Sequence, residues 1–141
     1  RMAYILETVM ELNEIFYKAK KHLLTQNAKS GIQIEGSPKL SCMYKDGDGR
    51  KCAVGIFFLD DERTDYVGCE WSGLGSMPVQ SELIRAGVLT QQDCNLGAPY
   101  SKFDLLRNLQ HIHDTHEVEY WPTAINQLQK EFGIPDEGGV S

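Results

Sequence analysis

Chemistry in this chain has to be built from four cysteines, four histidines and the carboxylates near them. Cys42 and Cys52 flank Asp46-Gly47-Asp48-Gly49, a strong signal for a tight turn. If the flanking residues pair as a hairpin, the two cysteines stand opposite each other or one register apart. Opposed positions have Cβ atoms about 4.5–5.5 Å apart, near enough for shared metal ligation or, after a small adjustment, a disulfide. His111, His113 and His116 would then complete a tetrahedral site, since zinc accepts sulfur and nitrogen ligands. The spacing matches no established zinc signature, and two single cysteines lack the Cys-x-x-Cys bite. Two small buried thiols are the plainer reading, and neither a metal nor another cofactor is expected.

The doublet His113-Asp114 resembles the His-Asp pair that metal-dependent phosphohydrolases carry on a helix. Those enzymes need a further upstream histidine and a downstream aspartate. Here only His22 lies far upstream, and the sole later aspartate, Asp136, falls in a tail expected to be loose. A histidine complementing a helix dipole, followed by an aspartate that forms a local turn, accounts for the pair without catalysis. His116 shares a helical face with Leu109 and Ile112 and reads as a core-edge residue. A cysteine nucleophile needs a base in reach. Cys52 meets His111 or His113 only if the C-terminal helices pack on the hairpin, and its neighbours Lys51 and Ala53 suit a packed thiol. A calcium loop fails, because counting from Asp46 the fifth, sixth and twelfth positions are Arg50, Lys51 and Phe57. No phosphate-binding Gly-x-x-x-x-Gly-Lys-Ser/Thr run is present.

Aromatic and arginine residues are enriched where proteins bind partners. Tyr44 and Arg50 on the hairpin, Glu70 and Trp71 on an irregular loop, and Tyr120 and Trp121 before the last helix form one candidate face. The binding residues assigned from sequence are Tyr44, Arg50, Cys52, Glu70, Trp71, His113 and Asp114. The competing reading places Trp71 and Trp121 in the core.

These residues need elements to hold them. Ile5, Val9, Leu12, Phe16, Ala19 and Leu23 recur at helical spacing, and Thr8 with Glu11 fits a capping box, which starts the helix near Val9. Gly31 to Pro38 reads as loop. Leu40–Lys45 and Arg50–Val54 are the strands of the hairpin. The apolar run to Leu59 leans towards a short helix over Ala53–Leu59, with a buried strand as the alternative. Thr64 to Met77 reads as irregular. Pro78 opens a helix that Gly87 stops. Ser101 caps another, with Leu105, Leu106, Leu109 and Ile112 facing inward. Pro122 opens the last, with Ile125, Leu128 and Phe132 inward and Gly133 at its end.

The whole has 141 residues, the size of one domain with a sizeable core. Its net charge of -6 argues against a basic nucleic-acid footprint. No apolar stretch approaches the roughly 18 residues of a membrane span. No secretory leader is recognisable, so reduced thiols and a cytoplasmic location are expected.

Cys42-Met43-Tyr44-Lys45, then Gly49-Arg50-Lys51-Cys52-Ala53-Val54-Gly55 and the acidic Asp60-Asp61-Glu62, with Leu109-Gln110-His111-Ile112-His113-Asp114 further on, carry a resemblance. They are similar to an uncharacterised family of small bacteriophage and prophage proteins. That family has a Cys-x-Tyr-Arg strand, a Gly-x-x-Cys-Ala-Val-Gly segment and a Leu-Gln-x-x-His-Asp segment. The likeness spans roughly Asn13 to Phe132. It departs at Lys45, where the family has arginine, and at Phe57-Phe58-Leu59, where an apolar residue and proline are usual. The resemblance implies a mobile-element context and, by analogy, a part in host takeover or counter-defence.

The expected fold is therefore α+β and mostly helical, with four to five helices packed around a small β-hairpin. Residues 1–135 form one domain and 136–141 a flexible tail. The expected function is a non-enzymatic phage or prophage accessory protein that blocks a host protein or sequesters a small nucleotide-like ligand. Nucleic acid and membrane are not expected partners, and homo-oligomerisation is left open. The alternatives are a small hydrolase using Cys52, His111, His113 and Asp114, and a zinc-stabilised interaction module.

Overall fold

The computed structural model describes residues 10–33, 40–42, 44–46, 48–59, 77–94 and 99–137. Helix α1 (Leu12–Gln26) buries Ile15, Phe16, Ala19 and Leu23 along one stripe. Its capping box is Glu11 with Glu14, whose Oε1 accepts the Glu11 N–H at 3.0 Å. The observed start is therefore Leu12 rather than the neighbourhood of Val9, and Thr8 lies outside the described residues. Asn27, left-handed at φ 50°, ends the helix.

Helix α2 (Met77–Arg85) buries Val79 and Leu83 and is stopped by Gly87 at φ 79°. The Met10 N–H donates to the Gly87 carbonyl at 2.8 Å and ties the approach to α1 onto this stop. Helix α3 (Lys102–Thr115) starts at Ser101, whose hydroxyl accepts the Asp104 N–H at 3.1 Å. Helix α4 (Trp121–Glu131) carries Pro122 in its first turn. Helices α1, α3 and α4 pack on one another. Phe16, Leu105, Leu106, Leu109, Trp121 and Ile125 fill the space between them without solvent exposure.

The expected α+β class is corrected: the domain is helical, with four α-helices among the described residues, and the expected hairpin is not formed. Of its two strands, only a single bridge between Lys45 and Lys51 is present among the described residues. Among the described residues, strand pairing is confined to two three-residue segments, β1 (Gly31–Gln33) and β2 (Leu40–Cys42), aligned Gly31 to Cys42. β1 falls in the stretch expected to be loop. The bridge is closed by the Asp46 N–H to the Arg50 carbonyl at 2.9 Å and the Cys52 N–H to the Tyr44 carbonyl at 3.3 Å, and the turn inside it is held by the Asp46 carboxylate, which accepts the Asp48 and Arg50 N–H groups. Beyond them the chain turns into a 3-10 turn at Gly55–Phe57, which resolves the Ala53–Leu59 run towards helix. Gly55 is required there by close approach: a Cβ would lie 2.0 Å from the Tyr44 carbonyl oxygen.

Candidate functional site

Two polar regions lie on opposite sides of α3. The inner one is organised by Asp46, whose side chain is 1% exposed. Its Oδ1 accepts the N–H groups of Asp48 and Arg50, both at 2.9 Å. Its Oδ2 accepts the Gly31 N–H at 3.1 Å and the Arg50 Nε–H at 2.9 Å. Burial opposes ionisation of this carboxyl. The Arg50 guanidinium and the three backbone N–H groups outweigh it and hold the group below the ordinary carboxylate range. Arg50 also pairs with Asp48 at 2.9 Å.

Ser30, fully buried, joins this loop to α3. Its hydroxyl donates to the Arg50 carbonyl at 2.9 Å, and its N–H donates to His113 Nε2 at 3.0 Å. An accepting Nε2 leaves the ring proton on Nδ1, which faces Asp114 Oδ1 at 2.8 Å. Gln110 donates to the same oxygen at 2.8 Å and accepts the Val54 N–H at 3.1 Å. The His113 ring lies 5.5 Å from that of Trp121. From α1, Gln26 clamps Lys51 through both backbone groups at 3.0 and 2.9 Å. His22 reaches the Lys51 carbonyl at 2.7 Å. Burial lowers the His22 pKa below its ordinary value, and the charges of His113 and Lys51 reinforce this against the raising effect of that hydrogen bond.

This arrangement contains the residue types of acyl-transfer catalysis without their wiring. His113 Nε2 is occupied by a backbone N–H, and the Ser30 hydroxyl donates to a carbonyl rather than to a base. Cys52 is fully buried, its Sγ accepting the Gly55 N–H at 3.3 Å, and burial pushes its thiol up to about 12. Such a thiol is not a nucleophile at neutral pH. Among the described residues no three His, Cys, Asp or Glu side chains converge as metal ligands. The expected opposition of Cys42 and Cys52 is replaced: Cys42 aligns with Gly31, and the Cys52 N–H donates to the Tyr44 carbonyl at 3.3 Å. The Cys42 side chain lies outside the described residues.

Of the binding residues assigned from sequence, Tyr44, Cys52 and His113 are buried. Tyr44 is buried with its ring 5.0 Å from that of Phe58, and burial raises its phenol, with Cys52 and Asp114 adding to the effect. Cys52, His113 and Trp121 are core residues. Arg50 and Asp114 are half-exposed but engaged. Glu70 and Trp71 lie outside the described residues. The hairpin region and the His-Asp helix do meet, through Gln110 with Val54 and His113 with Ser30.

The outer region is a groove of about 350 Å³ between α3 and α4. Ile112, Ala124 and Leu128 are apolar lining residues, with His111, His116, Tyr120, Gln127 and Glu131 among the polar ones. The rings of His111 and His116 meet edge to face at 6.3 Å, and Tyr120 is 61% exposed. His116 is thus an exposed groove residue and not the core-edge residue expected. The helix ends at Thr115, so His116 at φ -94°, ψ 149° no longer follows the helical face. Next to the groove Tyr100, at φ 59°, sets its ring 5.2 Å from that of Phe132, the residue after Glu131. The left-handed region is uncommon for an aromatic residue and is strained there.

The chain matches no family model, no curated protein and no solved structure. Geometry alone therefore separates the two regions. Ser30, Gln26, Gln110 and the inward role of Asp46 were missed from sequence, because each acts through a partner at least 15 positions away. The groove had a usable signal, since His111 falls away from the Leu105, Leu109 and Ile112 stripe and Asn108 sits at its edge.

Proposed function

We propose that this chain is a non-enzymatic binding protein, an accessory protein of a phage or prophage, whose recognition site is the α3/α4 groove. The supporting observation is the state of the polar side chains. In the inner region the candidate nucleophile and acid–base groups are committed to holding the fold. In the groove, His111, His116, Gln127 and Glu131 line an apolar cleft of the size and character that small ligands occupy. Taken with the phage resemblance, the role is counter-defence by sequestering a small ligand. Blocking of a host protein is the second mode the phage resemblance carries.

A fragment screen followed by amide chemical shifts tests the reading. Shifts are expected at residues 108–116 and 120–131, and Ala124→Trp, which fills the groove, is expected to abolish them. Shifts centred on Ser30, Cys52 and His113 that survive Ala124→Trp would overturn it. The phage role has its own measurement. Plating of phage on a defended host that expresses the wild-type chain should rise, and Ala124→Trp should remove the rise.

A further inference from the structure

The groove has a charge and a shape that narrow its ligand. Tyr120 and Glu131 stand at the two ends of α4, about 16 Å apart at the helical rise. The groove's volume of about 350 Å³, at the small end for a ligand site, is spread along that length. No lysine or arginine is among the lining residues, while Glu131 is, and its carboxylate makes no hydrogen bond or ion pair with another described residue. The turn at the other end carries exposed Glu117 and Glu119. A phosphate or carboxylate would therefore meet negative charge with no lysine or arginine in the described lining to offset it. An ammonium would find a carboxylate at one end and exposed aromatic faces at the other.

We propose that the groove takes a free, elongated organic amine: an apolar body along Ile112, Ala124 and Leu128, an aryl end at His116 and Tyr120, and an ammonium at Glu131. This rests on the groove being the recognition site, and it replaces the nucleotide-like ligand by a cation.

Matched probes of one shape test it: 4-phenylbutylamine, 4-phenylbutanol and 4-phenylbutyrate, titrated into the full chain at pH 8 and followed by amide shifts of α3 and α4. The amine is expected to bind about fivefold more tightly than the alcohol, the upper end for an exposed ion pair, and the butyrate more weakly than either. Glu131→Gln should bring the amine down to the alcohol and leave the alcohol unchanged. Tyr120→Ala should weaken all three alike. Equal affinity for amine and alcohol, or a preference that persists in Glu131→Gln, overturns the cation assignment while leaving the groove as the site. Absence of binding by all three, or shifts elsewhere in the molecule, overturns both.

Discussion

Helix α3 carries His111 and His113 two positions apart, and the helical turn sends them to opposite environments. His113 is fully buried, with Ser30 on one ring nitrogen and Asp114 on the other. His111 is exposed on the groove, and its ring meets that of His116 edge to face. The same residue type is structural on one face and available on the other. Titratable groups crowded together suggest a catalytic centre, but what decides is whether their lone pairs and protons are already committed. In the inner region they are, down to the individual oxygens of Asp46.

Removing Asp46 should therefore produce the largest loss. Asp46→Ala strips the partner from three backbone N–H groups and from the Arg50 guanidinium. A cost of about 3 kcal/mol is expected in urea unfolding, the scale for breaking a buried, hydrogen-bonded ionic group. A loss below about 1 kcal/mol would show that the loop does not depend on the carboxylate. Gly55→Ala comes next, at about 2 kcal/mol, because the added methyl meets the Tyr44 backbone rather than a yielding side chain. Thermal unfolding reads it directly, and an unchanged midpoint would contradict the close approach.

Acid sharpens the same contrast. The folded-state pKa of His22 is lowered by burial, so the unfolded chain takes up that proton first. Stability from this group is complete above the unfolded value of about 6.5 and is lost as pH falls from there to the folded value. Asp46 works lower: its stabilisation is complete above the unfolded carboxylate value, near 3.8, and is lost as pH falls through the lowered folded value. Urea unfolding between pH 7.5 and 5 should show a decline that His22→Gln reduces. A decline of equal slope in His22→Gln would assign it elsewhere.

The helices were largely legible in the sequence because their determinants are local. Ser101 caps α3 three residues from its partner, Pro122 opens α4, and Gly87 and Gly133 take the positive φ that ends a helix. The hairpin was misjudged for the opposite reason. Asp-Gly-Asp-Gly does turn the chain, but Lys45 and Lys51 bridge only briefly before Gly55 closes on the Tyr44 carbonyl and a 3-10 turn begins, while Gly31, 15 positions before Asp46, donates to its inward carboxylate. No local pattern records that contact. The site followed the same divide. His113 next to Asp114 was visible as a pair, but its partner Ser30 is 83 positions away, and only that partner shows the pair to be structural.

The smallest expected effect is the most discriminating. His113→Ala removes the acceptor of a buried N–H and leaves a cavity beside Trp121, so a cost of about 2 kcal/mol is expected. His111→Ala removes an exposed ring with no hydrogen-bond partner among the described residues, so its stability should stay within about 0.5 kcal/mol of wild type. The two variants make the same chemical change on one helix, and helix propensity shifts both in the same direction. Their difference therefore isolates environment. If His111→Ala costs as much as His113→Ala in urea unfolding, the groove face is part of the structural framework, and its polar groups are not available for a ligand. If it is silent in stability yet alters the binding of the amine probe, availability and not spacing in the sequence marks the functional side of α3.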